Sequence, residues 1–175
     1  ALLAINPHVT VMAHDQRITA ENALDIIGRY DIVADGCDNF PTRFLVSDAC
    51  YFARRTLVSA AVGQFDGQLS TFKPHESSPD GTPWPSYRCL IGEIPPRGLF
   101  PACEEAGILG ALPGIIGSMQ AMEVIKEVLG IGEPLEGDAG VPGVVVASTA
   151  VVVHRRAHRD ARRPIAQLLA QRVNQ

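Results

Sequence analysis

Strand-length and helix-length runs alternate along most of the chain. Alternating or β-branched residues predict strands over residues 8–14, 31–35, 56–62 and 68–72. Apolar residues with helical spacing predict helices over residues 20–27, 39–54 and 108–129. In the last of these helices, the residues expected on one apolar face are Leu112, Ile115, Met119, Met122 and Leu129.

Strands and helices that follow one another in this order predict right-handed crossovers and an α/β fold. We expect a Rossmann-like, doubly wound and largely parallel sheet with helices on both faces. The chain opens inside a run of helical character, with neither Met nor a capping Ser, Thr or Asp. This opening predicts an amino-terminal truncation and therefore a partial fold.

Composition divides the chain into a body and a tail. Residues 1–137 carry 9 Lys and Arg against 17 Asp and Glu, whereas residues 138–175 carry 6 Arg against 2 Asp. Within the body, proline and glycine crowd residues 73–101, which predicts a long, mobile, crossover-type loop. In the divergent basic tail, the Val-rich run at 144–153 could add a strand, and a nucleic-acid-binding arm stays an open alternative.

Bulk composition excludes several classes of protein. Hydrophobic residues at 46% and charged residues at 19% are typical of an ordinary globular domain. The acidic body offers no surface that neutralises phosphates, so we expect no nucleic-acid partner for it. The longest uncharged run, residues 106–122, is 17 residues long and falls short of the ~20 that span a bilayer, so no membrane is expected. Four irregularly spaced cysteines and the lack of an apolar leader favour the cytoplasm.

The tract from Asp35 to Arg43 is the first candidate site. It lies where a predicted parallel strand ends and a helix begins, which is where open α/β sheets bind ligands. A carboxylate at Asp38 could hold Mg²⁺ together with substrate phosphates, because this hard ion prefers oxygen ligands. The alternative is that Asp38 only caps the following helix, since Asp is a preferred capping residue.

Five segments in a fixed order carry a family resemblance: D-x-x-D-N-x-x-x-R from Asp35, then residues 63–68, 87–89, 103–110 and 114–126. Together they resemble the MoeB/ThiF-like adenylyltransferases, relatives of the ubiquitin-activating enzymes, from about Ile5 to Gly137. The resemblance implies that ATP and Mg²⁺ are bound and that AMP is transferred to the C-terminal Gly-Gly of a ubiquitin-like, β-grasp sulfur-carrier protein of the molybdopterin or thiamine type. It also implies a homodimer in the full-length parent.

The resemblance further implies roles for individual residues. Asp38 would be catalytic and would bind Mg²⁺ and phosphate, with Asn39 beside it at the nucleotide. Arg43 could reach the same pocket or could pair with a carboxylate, and we hold these two alternatives equal. Cys103 resembles the cysteine that forms a covalent link to the activated carrier in part of the family. An inert thiol is an equal alternative there, because the two glutamates that follow disfavour a thiolate.

The family pattern fails in three places. Its glycine-rich nucleotide loop, an arginine and a lysine should precede residue 1, so we expect a fragment that is inactive or weak by itself. A C-x-x-C pair of the family's zinc site runs here from Ser86 to Cys89, and no cysteine follows Cys103, so no complete zinc site and no zinc are predicted. Residues 138–175 lose the resemblance abruptly, which indicates a frameshifted or replaced end. The other cysteines, Cys37 and Cys50, are predicted to be small core residues.

Two other functions stay open. The first is a non-catalytic module that docks a ubiquitin-like protein or a homologous subunit, for which the family resemblance supplies a precedent. The second is a different doubly wound nucleotide enzyme, such as a dehydrogenase. It is disfavoured because the chain contains no G-x-G-x-x-G.

Overall fold

A computed structural model describes residues 1–96, 107–133 and 135, together with the backbone of residues 145–148 and 152–154. Helices and strands alternate through most of this part of the chain. In order along the chain, the elements are α1 (Leu2–Ile5), α2 (Ala23–Ile27), β1 (Ile32–Asp35), α3 (Phe40–Ala53), β2 (Thr56–Val62), β3 (Asp66–Phe72), α4 (Tyr87–Ile91), α5 (Ala111–Leu129), β4 (Val145–Ser148) and β5 (Val152–His154).

The strands form one mixed sheet in the order β1-β2-β3-β4-β5. β1 runs parallel to β2, with Ile32 opposite Thr56 and Asp35 opposite Ser59. The other three pairings are antiparallel. The short turn after β2 reverses the chain into β3. The α/β class and the Rossmann-like arrangement are confirmed, but the described sheet is mixed rather than largely parallel.

Helices cover both faces of this sheet, as predicted. Successive residues of a strand point to opposite faces, so Leu57 and Val58 of β2 enter different cores. Leu57 packs with α2, α3 and α4 in a cluster that includes Phe44 and Phe72. Val58 packs on the other face, against Ile116 of α5. The sheet edge with the candidate site is therefore supported from two sides.

Two predicted elements at the amino end differ from the structure. Residues 8–14 form no strand, although their pattern alternates, and their apolar side chains Val9 and Val11 are exposed. An alternating pattern forms a strand only where a neighbouring strand pairs with it. The predicted helix at 20–27 is shortened to Ala23–Ile27, because the Asn22 side chain accepts a hydrogen bond from the Thr19 amide and holds a turn there.

Helix α5 buries a different face from the one that its hydrophobic pattern predicts. Ile115, Met122 and Leu129 were expected in the core, but they are 49%, 56% and 61% exposed. Leu112 is buried and Met119 is partly buried, as predicted, but the other buried residues are Ile116 and Glu123. The predicted apolar face is therefore wrong in three of its five positions.

The proline-rich segment 73–101 contains a short helix. Tyr87 of α4 is buried between the rings of Phe44 and Phe72, whose centroids lie 5.3 and 5.9 Å from its own. Arg88 donates two hydrogen bonds to the Asp48 carboxylate of α3, at 2.7 and 2.6 Å. This part of the segment packs on the domain body, while residues 97–101 lie outside the described residues. Mobility of the whole segment stays a prediction.

The Val-rich run of the predicted tail joins the sheet. The backbone of β4 pairs with β3, and β5 pairs with β4, so strand pairing in this run is confirmed. The other residues of the basic tail lie outside the described residues. In the part of the chain that the structure describes, no helix is both long enough and apolar enough to cross a bilayer.

Gly67 explains how closely α5 approaches the sheet. It lies within β3 and faces Ile116 of α5. A Cβ atom on Gly67 would lie 2.5 Å from Cγ1 and 2.8 Å from Cδ1 of Ile116. The absence of a side chain at this position therefore makes room for the most buried aliphatic residue of the helix.

We predict that Gly67→Ala lowers the free energy of unfolding by about 1–3 kcal/mol, because the added methyl group overpacks this contact. Urea denaturation followed by circular dichroism measures the loss. Gly36→Ala is the matched control, since a Cβ there meets nothing within 4 Å. In an Ile116→Ala background, Gly67→Ala should cost much less; an equal cost in both backgrounds would contradict the steric explanation.

Candidate functional site

A buried carboxylate, that of Asp35, supports the connection between β1 and α3. Asp35, the last residue of β1, is 3% exposed. One of its oxygens accepts a hydrogen bond from the Cys37 amide at 2.8 Å, and the other accepts one from the Ser59 hydroxyl at 3.3 Å. Asp35 therefore fixes the first turn of the loop and ties it to β2.

Arg43 holds the same loop from the side of α3. Its Nε and Nη2 atoms donate to the Cys37 carbonyl at 2.8 and 2.6 Å, and its guanidinium lies 5.7 Å from the centre of the Phe40 ring. The side chain is largely buried. Among the described residues it forms no salt bridge, and its pairing with a carboxylate stays a prediction. Arg43 is bonded to the backbone of the loop.

Gln120 of α5 holds the loop from the opposite face of the sheet. Its Nε2 atom donates to the carbonyl oxygens of Asp35 and Val58, each at 2.9 Å. One amide group thus links the last residue of β1 and an interior residue of β2 to the long helix. The sequence analysis missed Gln120, and the available signal was a lone amide side chain in the middle of an apolar helix.

Asn39 and Asp38 occupy the exposed side of the loop. The Asn39 side chain accepts a hydrogen bond from the Thr42 amide at 2.9 Å and therefore caps α3. The alternative in which Asp38 caps this helix is wrong. Asp38 is exposed and accepts one hydrogen bond, from the Asn39 amide group at 3.2 Å. Its carboxylate extends from a loop that three other side chains hold in position.

The cysteines of this region are not suited to nucleophilic chemistry. Burial, with a hydrogen bond and negative charge from Asp35, raises the pKa of the Cys37 thiol from 9.0 to about 12. Burial likewise raises the pKa of Cys50 to about 12, with a smaller effect from the Asp35 charge. Cys50 is a core residue, as predicted, whereas Cys37 is only half-buried. Both thiols stay protonated at neutral pH.

The remaining predicted site residues do not join this loop. Cys103 lies outside the described residues. Ser86 and Cys89 lie close together at the start of α4, with 3.5 Å between Oγ and Sγ. Within residues 1–96, 107–133 and 135, no group of three or more His, Cys, Asp or Glu side chains could hold a metal ion. The absence of zinc from the whole protein stays a prediction.

The loop combines a rigid base with one exposed carboxylate. Carboxylate oxygens are the preferred ligands of Mg²⁺, which usually keeps several waters and binds one or two such groups together with phosphates. The position also matches the place where α/β sheets bind ligands, outside the carboxyl ends of parallel strands. Asp38 therefore fits a bound Mg²⁺, and the loop could present such an ion to an anionic ligand.

A comparison of folds places the architecture in a known class. A crystal structure of E. coli MccB with selenomethionine MccA superimposes with a TM-score of 0.63, covering 91% of this chain and 46% of that chain. A second structure, of E. coli MccB with MccA-N7isoASN, gives 0.62. At 15% and 17% identity this likeness shows the fold, a Rossmann-like α/β arrangement.

The sequence gives the family. The model of the ThiF family matches residues 1–142. The chain belongs to the ThiF family, as the resemblance predicts.

Three similar proteins illustrate this membership. The sulfur carrier protein adenylyltransferase of Thermus thermophilus is 49% identical over 136 residues, which are 78% of this chain and 49% of that protein. The probable adenylyltransferase/sulfurtransferase MoeZ of Mycobacterium tuberculosis and the adenylyltransferase and sulfurtransferase MOCS3 of Drosophila yakuba are each 42% identical over 137 residues. Those matches cover 78% of this chain but 34% and 29% of the relatives. The chain spans half or less of their length.

We predict that Gln120→Leu loosens the loop after β1, because two carbonyl oxygens lose their shared donor. The free energy of unfolding should fall by about 1–3 kcal/mol. Hydrogen exchange followed by mass spectrometry should show faster exchange at residues 35–43. Ser118→Ala is the control on the same helix, since its hydroxyl bonds only to the Gly114 carbonyl. Unchanged exchange at residues 35–43 in Gln120→Leu would contradict the proposed support.

We predict that iodoacetamide at pH 8 labels Cys37 and Cys50 at least about 100-fold more slowly than the exposed Cys89, because the raised pKa leaves almost no thiolate. Peptide mass spectrometry over a time course gives the three rates. In a strong denaturant the three thiols should react alike, which controls for local sequence. Rapid labelling of Cys37 in the folded protein would show that its thiol is not protected.

Proposed function

We propose that the site after β1 serves ATP-dependent adenylation of the C-terminal Gly-Gly of a ubiquitin-like sulfur-carrier protein, with Asp38 as the ligand of the Mg²⁺ that accompanies ATP. The observation that carries the proposal is that Asn39 and not Asp38 caps α3, which leaves the Asp38 carboxylate exposed with one hydrogen bond, from the Asn39 side chain. The relatives named as adenylyltransferases support the reaction class. The carrier would belong to the molybdopterin or thiamine type.

The proposed reaction joins two anions. A carboxylate oxygen of the carrier would attack the α-phosphorus of ATP, the bond between the α-phosphorus and the bridging oxygen would break, and pyrophosphate would leave. Negative charge approaches negative charge, so catalysis depends mainly on the metal, on cationic groups and on alignment. The metal supplies charge neutralisation when it is bound. Asp38 would contribute a fixed oxygen ligand, and Asn39 would keep that carboxylate in position through its amide group.

In this proposal Arg43 does not contact the phosphates. Its guanidinium is bonded to the Cys37 carbonyl, one residue before Asp38. It would therefore act as a positioning residue that fixes the direction in which the carboxylate extends. The cations that neutralise the phosphates would then come from other parts of the whole protein. The proposal also includes Cys103 as the residue that forms a covalent link to the carrier.

The alternative function is a non-catalytic module that binds a ubiquitin-like protein or a homologous subunit. The hydrogen bonds from Arg43 to the loop backbone favour this alternative, because the described loop then offers phosphates no free cation of its own. The chain spans half or less of its relatives, so the complete reaction is proposed for the whole protein. Binding of a Gly-Gly-ended carrier without ATP, in the absence of ATP–pyrophosphate exchange, would favour this alternative.

We predict that Asp38→Asn abolishes adenylation in a complete protein. The test protein carries this chain in place of the matching segment of the Thermus thermophilus relative. ATP–pyrophosphate exchange with a Gly-Gly-ended carrier should fall at least 100-fold, because the metal loses its charged ligand. Binding of Mn²⁺, measured by electron paramagnetic resonance with ATP present, should weaken in parallel.

Asp31→Asn is the matched control for this substitution. Asp31 immediately precedes β1, whereas Asp38 follows it, and the Asp31 side chain is 99% exposed with only a 3.5 Å salt bridge to Arg55. The control should keep full exchange. Retained exchange in Asp38→Asn would remove this residue from the mechanism. Vigorous exchange by the 175-residue chain alone would refute the expectation that it is an inactive or weak fragment.

A further inference from the structure

The hydroxyl group of Tyr87 is buried inside the domain. The residue is 2% exposed, and its ring packs against those of Phe44 and Phe72. Among the described residues, no group forms a hydrogen bond with the Tyr87 hydroxyl. Nearly all buried polar groups in folded proteins have a protein or water partner, and the hydroxyl of a buried tyrosine usually finds one. The surroundings of this hydroxyl show what its partner is.

Two buried serines lie opposite each other on the sheet face that packs against α4. In the antiparallel pairing of β2 with β3, Leu57 lies opposite Phe72, and Ser59 lies opposite Ser70. The first pair belongs to the apolar cluster on this face. The two serines follow it along the same face and are 6% and 2% exposed. The sheet therefore changes from an apolar to a polar surface while both pairs remain buried.

A small cavity lies between these serines and the tyrosine. Its volume is about 10 Å³, and its lining includes Ser59, Gln68, Ser70, Phe72, Tyr87 and Leu90. A site for one water molecule needs roughly 10–15 Å³ of such space and two to four polar partners. The cavity is therefore the size of a single water molecule, and the hydroxyls of Tyr87 and the two serines supply three polar groups.

The groups around the cavity keep the Tyr87 hydroxyl protonated. Burial raises the pKa of Tyr87 above its ordinary value, and the positive charge of the Arg43 guanidinium opposes this rise with a smaller effect. The hydroxyl therefore keeps its proton at neutral pH and can both donate and accept hydrogen bonds. A neutral donor at the wall of a polar cavity suits a neutral ligand that accepts a hydrogen bond.

We propose that one buried water molecule occupies this cavity and joins Tyr87 to Ser59 and Ser70. The water accepts a hydrogen bond from the Tyr87 hydroxyl and donates to the two serine hydroxyls. Ser59 in turn donates to the carboxylate of Asp35, which also accepts from the Cys37 amide. A continuous series of hydrogen bonds then runs from α4 to the loop between β1 and α3.

The water makes the proline-rich segment part of the support of the candidate site. Tyr87 belongs to that segment, whereas Asp35 fixes the first turn of the loop. Tyr87 is thus a positioning residue that acts on the loop through the water and Ser59. The water site does not depend on the proposed adenylation, because the order of the loop can be measured without ATP or a carrier protein. Either proposal can fail while the other holds.

The stability of Tyr87→Phe separates a bound hydroxyl from an unpaired one, because this substitution removes the hydroxyl and keeps the ring. We expect the equilibrium constant for unfolding, measured in urea, to rise at least about fivefold, since the water loses a donor. Removal of an unpaired buried hydroxyl would leave the constant unchanged or lower it, and either result would overturn the proposal. Tyr51→Phe, at an exposed tyrosine of α3, is the matched control and should change the constant by no more than about twofold.

Hydrogen exchange and a double substitution test what the water connects. Exchange at residues 35–43 should become at least about tenfold faster in Tyr87→Phe and stay unchanged in Tyr51→Phe. In a Ser70→Ala background, Tyr87→Phe should raise the unfolding constant at least about twofold less than it does alone, because the two hydroxyls share one water. Unchanged exchange in Tyr87→Phe, or an equal effect in both backgrounds, would contradict the shared water.

A high-resolution crystal structure of the 175-residue chain tests the water directly. We expect density for one water molecule within hydrogen-bond distance of the Tyr87 Oη atom and of at least one of the two serine Oγ atoms. An empty cavity would overturn the proposal. A Tyr87 hydroxyl bonded directly to Arg43 or to another side chain would overturn it as well.

Discussion

The structure depends on how two main-chain carbonyl groups are satisfied, one at the end of β1 and one inside β2. The carbonyls of Asp35 and Val58 both accept from the one side-chain amide of Gln120. This requirement fixes the rotation of α5 about its axis. Residues three and seven positions further along a helix point the same way, so Glu123 and Glu127 are also directed inward. Their charges are satisfied by Thr71, Lys126 and Lys73, and the apolar residues are left outside.

The parts of the fold that follow from the sequence are those that depend on local signals and not on contacts between distant residues. The elements β1, α3 and β2 were predicted within one or two residues, because buried strands, a capping residue and helical spacing are local signals. The buried face of α5 was predicted wrongly. Hydrophobic spacing does not indicate that a glutamine and a glutamate face inward to bond with partners on distant strands. The direction of the strand after β2 was predicted wrongly for a related reason. A short turn allows β3 to return antiparallel, and only pairing reveals it.

The loop that the sequence marks as the candidate site lies between a strand and a helix, as predicted, but the hydrogen bonds within it were not predicted. The motif from Asp35 to Arg43 marks the loop because strand, loop and helix are contiguous in sequence. What each side chain does there depends on geometry, so the capping role moved from Asp38 to Asn39, and Arg43 turned to the loop backbone. A lone amide side chain in an apolar helix marks Gln120 as unusual, but no local pattern reveals its partner, because Asp35 lies 85 residues away.

Tyr87 gives the proline-rich segment a fixed point. Its ring is enclosed by two other aromatic rings, and Arg88 next to it is bonded to α3. A chain that is fastened at an interior point behaves as two short tethers instead of one long one, and each tether carries the closure entropy of its own length. The loop that precedes α4 is therefore limited to the span from Lys73 to Ser86, and its closure entropy is that of this shorter span.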